Sequence, residues 1–216
     1  MPMKRPRLLL GDDHRMFLDG LHLSLVCRFD VVAAVTDGEA VIEAAHTHRP
    51  DAIVLDLAMP FPNGLEVSRE LLASDSSWRI ILLTMHSDPH LAAAALELGV
   101  VGYCMKTETI DELERAIFKV LEGRRSISPA IDRARLDDLL ARRDVENLPA
   151  TFQLTSRQKE VLSLIAEGLA CKEIAAKLGV SMKTVEFHKY SMMERLEIRS
   201  SAGLVRYAGK LGLVPT

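Results

Sequence analysis

The sequence predicts two structural classes in one chain: a doubly wound α/β domain on a five-stranded parallel sheet, then a second, smaller all-α domain. Three observations predict it. Residues 7–121 alternate short aliphatic runs with segments of helical periodicity, which is the rhythm of βα units. From Leu154 onward only helical spacing remains. Residues 123–150 hold Gly, Ser, Pro and a dense run of charge, the composition of a linker. The boundaries therefore read as 1–123, 124–150 and 151–216, within a length that accommodates two ordinary domains.

Each element has its own signal. Strand Leu8–Leu10 precedes a helix over Met16–Cys27, and Asp30–Val35 precedes Glu39–His46. Ala52–Leu55 leads into Leu65–Ala73, Ile80–Leu83 into Pro89–Leu98, and Val101–Met105 into Ile110–Leu121. Near-continuous aliphatic strands such as Ala52–Leu55 fit burial on both faces, as a sheet covered by helices on each side requires. In the linker, Ile131, Leu136, Leu139 and Leu140 form a partial apolar stripe that predicts a short helix. Thr155, with Gln158 three residues on, is a capping box that opens the first of four helices. Gly168, Gly179 and Arg199-Ser200-Ser201 punctuate the rest.

Composition narrows the class. With 48% hydrophobic and 26% charged residues, the chain can build a sizeable core. No apolar run approaches the roughly 20 residues that cross a bilayer. Three leucines after the basic start, Met1 to Arg7, are too few for a signal-peptide core, so we expect a cytoplasmic protein with no membrane partner. Cys27, Cys104 and Cys171 form no CxxC pattern and read as buried, reduced thiols. The net charge of −3 hides an asymmetry: residues 151–216 hold ten Lys/Arg against six Asp/Glu, which suggests that the second domain faces nucleic acid.

The strand ends carry the chemistry. Leu8–Leu10 runs into Asp12-Asp13, the third strand stops at Asp56, the fourth at Thr84 and the fifth at Lys106. Carboxyl ends of parallel strands share one edge, where open α/β sheets bind ligands. Three carboxylates there crowd negative charge that a hard cation such as Mg²⁺ would relieve. Thr84 and Lys106 remain to grip a phosphoryl group, so the arrangement marks Asp56 as a phosphate acceptor. Taken singly, Asp12 and Asp13 also fit caps of the first helix, Lys106 a solvated strand-end charge and Tyr103 an edge aromatic. His14, His46, His48, His86 and His90 read as ordinary surface or loop histidines.

On Leu10-Gly11-Asp12-Asp13-His14, Leu55-Asp56-Leu57-Ala58-Met59-Pro60, Asn63-Gly64-Leu65-Glu66, Leu83-Thr84-Met85-His86 and Gly102-Tyr103-Cys104-Met105-Lys106, the first domain resembles a response-regulator receiver domain, of flavodoxin-like fold. The resemblance implies phosphorylation of Asp56 by a sensor histidine kinase. It implies that Mg²⁺ is held by Asp13, Asp56 and the Ala58 backbone carbonyl, with Asp12 acting more through water. It makes Lys106 and Thr84 the phosphoryl contacts and Tyr103 an aromatic switch. Phe61-Pro62-Asn63 departs from the small-residue loop common in that family, which bears on the lifetime of the phosphoryl group.

Residues 154–208 resemble the LuxR-type helix-turn-helix, on Glu160-Val161-Leu162, Lys172-Glu173-Ile174-Ala175, Leu178-Gly179-Val180-Ser181 and Lys183-Thr184-Val185-Glu186-Phe187-His188. The whole chain is thereby similar to the NarL/FixJ class. Ile174, Ala175 and Leu178 line the inner face of one helix, and Val185, Met192 and Leu196 that of the next. Lys183, Thr184 and Lys189 then fall to DNA phosphates, and Glu186, Phe187 and Tyr190 to base edges. Leu204, Val205, Ala208 and Leu211 form an expected dimer seam. The implied protein is a homodimeric regulator of double-stranded promoter DNA and not an enzyme. Two other readings stand beside it. One is a phosphorylation-independent regulator whose receiver is a dimerisation platform. The other is a Mg²⁺-dependent phosphohydrolase, although such enzymes place DxD on the first strand and this chain has adjacent aspartates.

Overall fold

A computed structural model describes residues 5–59, 62–142, 154, 156–196 and 198–210. The chain divides into two compact units, 1–146 and 147–216.

The first unit begins with β1 (Arg7–Gly11), α1 (Arg15–Leu25), β2 (Asp30–Val35), α2 (Gly38–His48), β3 (Ala52–Asp56) and α3 (Gly64–Ser74). It continues with β4 (Ile80–Thr84), α4 (Pro89–Leu98), β5 (Gly102–Met105), α5 (Ile110–Leu121), β6 (Ser126–Ile127) and α6 (Arg133–Arg142). The strands pair in parallel in the order β2-β1-β3-β4-β5-β6. All five expected strands are present, and every residue of β3 and β4 is buried, as their unbroken aliphatic runs require. Because the chain moves from β1 to one neighbour and later crosses to the other, the crevice above β1 and β3 is the switch point.

The stretch read as a linker departs from expectation. It contributes a sixth strand, with Gly102 opposite Ser126 and Tyr103 opposite Ile127. A two-residue strand has no period to detect; only the free edge of β5 selects it. The short helix is present as α6 and packs on α4, burying Ile131, Leu136 and Leu139. Asp132 Oδ1 accepts the Arg135 N–H at 3.1 Å, closing the first turn of α6.

The second unit holds α7 (Ser156–Ala166), α8 (Cys171–Leu178), α9 (Met182–Arg195) and α10 (Ser201–Lys210). Its core gathers Leu154, Val161, Leu162, Ile174, Ala175, Val185, Met192, Leu204 and Ala208. Gly179 ends α8 with φ of 65°, a left-handed conformation that favours glycine, and the chain turns directly into α9. Ser181 Oγ accepts the Thr184 N–H at 3.1 Å and so caps α9. Thr155, the expected cap of α7, lies outside the described residues, as do Pro60, Phe61 and Leu211. Gln158, read as its reciprocal partner, donates from Nε2 to Ser191 Oγ at 3.0 Å.

Two further expectations are corrected. Leu204 and Ala208 are fully buried, because α10 turns that face onto α7 within its own unit; they cannot form a dimer seam, and among the described residues of that set only Val205 is exposed. The thiols are not uniformly buried: Cys104 is, Cys171 is half-buried and Cys27 is exposed.

Candidate functional site

Asp12 and Asp13 follow β1, and Asp56 ends β3 beside it, so the switch point brings them together. Lys106, one residue beyond β5, reaches back with Nζ 2.7 Å from Asp12 Oδ2 and 3.1 Å from Asp56 Oδ2. Both carboxylates are only 1% exposed. Their other oxygens are spoken for: Asp12 Oδ1 accepts the His14 N–H at 2.9 Å, and Asp56 Oδ1 accepts the Ala58 N–H at 3.2 Å. Asp12 therefore organises the loop rather than capping α1, whose cap position is His14, with no side-chain cap bond. Gly64 is required behind Asp56, since a Cβ there would lie 2.4 Å from the Asp56 carbonyl oxygen.

Burial raises Asp56 from the usual carboxylate value to about 6. The Lys106 ammonium and the Ala58 N–H oppose that rise, and the Asp12 carboxylate adds to it. Asp12 Oδ2 and Asp56 Oδ2 share the single Lys106 ammonium, and Asp13 Oδ1 faces the His14 ring. Lys106 supplies one positive charge against three carboxylates, and the excess of carboxylate oxygen gathered there is what a hard, oxygen-seeking cation needs. The residues present therefore fit Mg²⁺, which receiver domains generally bind at such a pocket.

Thr84 is fully buried, and its Oγ1 accepts the His86 N–H at 3.0 Å. The Tyr103 ring is also fully buried, with its hydroxyl donating to the His86 carbonyl at 3.2 Å. Burial holds that hydroxyl well above the ordinary tyrosine range. Thr84 and Tyr103 are thus joined through one residue, His86.

Two neighbours escaped the sequence reading. His14, taken as an ordinary surface histidine, places Nδ1 2.9 Å from Asp13 Oδ1 and 3.4 Å from Asp12 Oδ1. Among the described residues, ligand atoms of Asp12, Asp13, His14 and Asp56 all lie within 4.8 Å of one another. Its place directly after the aspartate pair was the available signal. Phe17 lies under Lys106, with Nζ 4.9 Å from the ring centroid, a cation–π contact that no spacing rule announces.

In the second unit, α9 buries Val185 and Met192 and turns Phe187 and Tyr190 outward at 68% and 64% exposure. Large aromatic rings held in solvent on a helix beside Lys183 and Lys189 are a cost to a free domain and suited to a groove. Lys183 is exposed, whereas Glu186 and Lys189 are half-buried. Thr184 Oγ1 is engaged with Ser181 Oγ at 2.8 Å, so part of its hydrogen-bonding capacity serves the cap.

An acidic, lysine-closed pocket at the switch point of a parallel sheet, followed in the same chain by a helix-turn-helix, defines a two-component response regulator. Residues 8–118 match the response regulator receiver domain, and residues 152–208 match the bacterial regulatory proteins of the luxR family. The chain is 32% identical over 214 residues to the oxygen regulatory protein NreC of Staphylococcus carnosus, covering 96% of this chain and 99% of that protein. It is 30% identical over 207 residues to a probable transcriptional regulatory protein, NarL, of Mycobacterium tuberculosis, covering 95% and 94%. Among solved structures it is similar to RcsB of Salmonella enterica serovar Typhimurium bound to a promoter in the presence of the phosphomimetic BeF₃⁻. That TM-score is 0.58 at 26% identity, covering 96% of this chain and all of that one. This chain belongs to the NarL/FixJ family of two-component response regulators.

No helix among the described residues is long and apolar enough to cross a membrane.

Proposed function

We propose that a sensor histidine kinase phosphorylates this chain on Asp56, and that the phosphorylated form regulates transcription as a cytoplasmic homodimer on double-stranded promoter DNA. The observation that carries the reading is Lys106 Nζ at 2.7 and 3.1 Å from Asp12 and Asp56 inside a buried acidic pocket.

In the transfer, an Asp56 oxygen forms a bond to phosphorus as the P–N bond of the kinase's phosphohistidine breaks, and the departing imidazole nitrogen keeps the bonding pair. Asp13, Asp56 and the Ala58 carbonyl would hold Mg²⁺, with Asp12 acting more through water; the ion's charge offsets that of the phosphoryl oxygens. Lys106 leaves its pairing with the Asp56 carboxylate and follows the charge onto a phosphoryl oxygen, while the Thr84 hydroxyl donates to another. Phosphoryl transfer needs positioning and charge stabilisation above all, and these residues supply both. When Thr84 moves, its link through His86 to the Tyr103 hydroxyl is disturbed, which makes Tyr103 the switch. In DNA binding, Lys183, Thr184 and Lys189 take phosphates, and Glu186, Phe187 and Tyr190 face the bases. The promoter-bound, phosphomimetic state described for RcsB supports carrying both halves of this reading to a chain of the same two-domain family.

The test is incubation of the full chain with Mg²⁺ and acetyl phosphate, followed by mapping of the modified residue by mass spectrometry. Label on Asp56 that disappears in Asp56→Asn and on chelation of the metal is expected. Undiminished label in Asp56→Asn would overturn the assignment.

A further inference from the structure

Lys106 has a third partner whose role the acceptor chemistry leaves open. Its Nζ lies 2.7 Å from Asp12 Oδ2, 3.1 Å from Asp56 Oδ2 and, over the ring of Phe17, 4.9 Å from the centroid. An ammonium carries three hydrogens and accepts nothing, so two carboxylate oxygens leave one hydrogen for the electron-rich face. The contact follows from where α1 begins. Phe17 stands in its first turn, directly behind the loop that carries Asp12 and Asp13. The Leu18 N–H donates to the His14 carbonyl at 3.0 Å, which ties that turn to the loop. On the other side, the Lys106 N–H donates to the Thr84 carbonyl at 2.8 Å, which fixes the base of the lysine at the end of the sheet. What can still move is the four-carbon stem between a fixed backbone and a charged tip.

A phosphoryl group on Asp56 requires this stem to move. The ammonium passes from an Asp56 carboxylate oxygen to a phosphoryl oxygen, and lysine is among the side chains with the most rotamer freedom to lose on ordering. Released from Asp56 with nothing else to hold it, the tip would spread over many positions. A ring face attracts a cation anywhere within about 6 Å of its centroid, without the narrow angles that a hydrogen bond demands. It therefore holds the tip near the pocket while leaving it free to pivot. The surroundings strengthen the contact. Lys106 is only 10% exposed, and with Phe17, Leu21, Leu83, Met105 and Leu113 it lines a groove of about 340 Å³ between α1 and α5. A cation–π contact with little water and apolar walls around it reaches the upper part of its range. Phe17 itself packs on the core beneath α1, so the ring stays in place when the ammonium moves.

We propose that Phe17 is a positioning residue for phosphoryl transfer: its ring seats the Lys106 ammonium and keeps it within reach of the phosphoryl oxygens as it changes partners. The inference rests on the acceptor reading of Asp56. Phe17 acts on the reaction only through Lys106. Loss of the ring should therefore slow the labelling of Asp56, and that effect should vanish where Lys106 is already gone. A ring that served packing alone would slow labelling alike in both backgrounds.

The rate at which Asp56 takes label from acetyl phosphate with Mg²⁺ tests it on the full chain, in wild type, Phe17→Leu, Lys106→Ala and the double variant. Phe17→Leu should be slower than wild type by about five-fold or more, the size of a shielded cation–π contact. In the Lys106→Ala background the same change should matter by less than about two-fold. Phe17→Tyr keeps the ring face and should recover most of the rate. Should Phe17→Leu prove unstable by thermal melting, a trifluorinated phenylalanine in place of Phe17 keeps the ring's shape and drains negative charge from its face; it should slow labelling likewise. Wild-type rates in both Phe17→Leu and the fluorinated chain would overturn the seat and leave the acceptor reading intact, as would equal slowing with and without Lys106. Absence of label on Asp56 in the wild-type chain would sink the acceptor reading, and the seat with it.

Discussion

At the scale of single residues, Asp56 is held in a state that costs stability. Its folded value of about 6 lies above the unfolded value of 3.8, so the folded chain binds the extra proton between those limits. The penalty is fully present above pH 6 and disappears as the pH falls toward 4. Without divalent metal, Asp56→Asn should therefore stabilise the first unit on the order of 2 kcal/mol at pH 7.5. That gain should shrink to nothing near pH 4. Urea melts of both proteins across that range check it, and a gain that grows toward low pH would contradict the burial argument. Lys106→Ala leaves two buried carboxylates unneutralised yet removes no nucleophile. It should still accept phosphate from acetyl phosphate, slowly, and respond weakly to it; sedimentation showing dimerisation equal to the wild type would count against its coupling role.

At the scale of elements, the approach of α3 to the end of β3 sets the pocket. Gly64→Ala puts a methyl group against the Asp56 carbonyl and the Leu57 backbone, where a Cβ would sit at 2.4 and 2.8 Å. Overpacking of this kind typically costs about 1–3 kcal/mol, and relief requires moving the strand end that carries the acceptor. Gly64→Ala should lower both melting temperature and phosphorylation rate; loss of one without the other would separate packing from positioning. For α9 the prediction distinguishes tethering from reading. Lys189→Ala should weaken binding to all DNA sequences alike and reduce the slope of log affinity against log salt by about 0.9, one contact's worth of counterions. Glu186→Ala should instead shift base preference by roughly 1–3 kcal/mol at one position of each half-site. A binding series across salt concentrations and a half-site library decides between them. The loss of Leu204 and Ala208 as seam residues moves any dimer contact of α10 to its outer side, where Val205 and Arg206 are exposed.

At the scale of the whole molecule, two compact units with separate cores make separate stabilities the expectation. Ile174 is fully buried in the second core, and Ile174→Ala should cost about 2–5 kcal/mol there. DNA binding should fall with it, while Asp56 still takes label from acetyl phosphate at the wild-type rate. A matching loss of label would mean that the units fold as one.

Much of this was readable from the chain alone because the signals are local. An aliphatic run long enough to be a buried strand names its own end residue, and five such runs at βα spacing place Asp12, Asp56, Thr84 and Lys106 on one edge without any knowledge of side-chain contacts. Glycine at Gly179 and serine at Ser181 announce a tight turn into a helix for equally local reasons. Tertiary structure decided what depends on a distant partner. Ser126 and Ile127 become a strand only because β5 offers a free edge, and α6 finds its place only because α4 is smooth. His14 joins the pocket because Asp12 bends the loop back over it, and Leu204 and Ala208 turn inward because α7 lies beneath them. An apolar or polar residue declares in sequence that it wants a partner; which surface supplies one is settled only when the chain closes on itself.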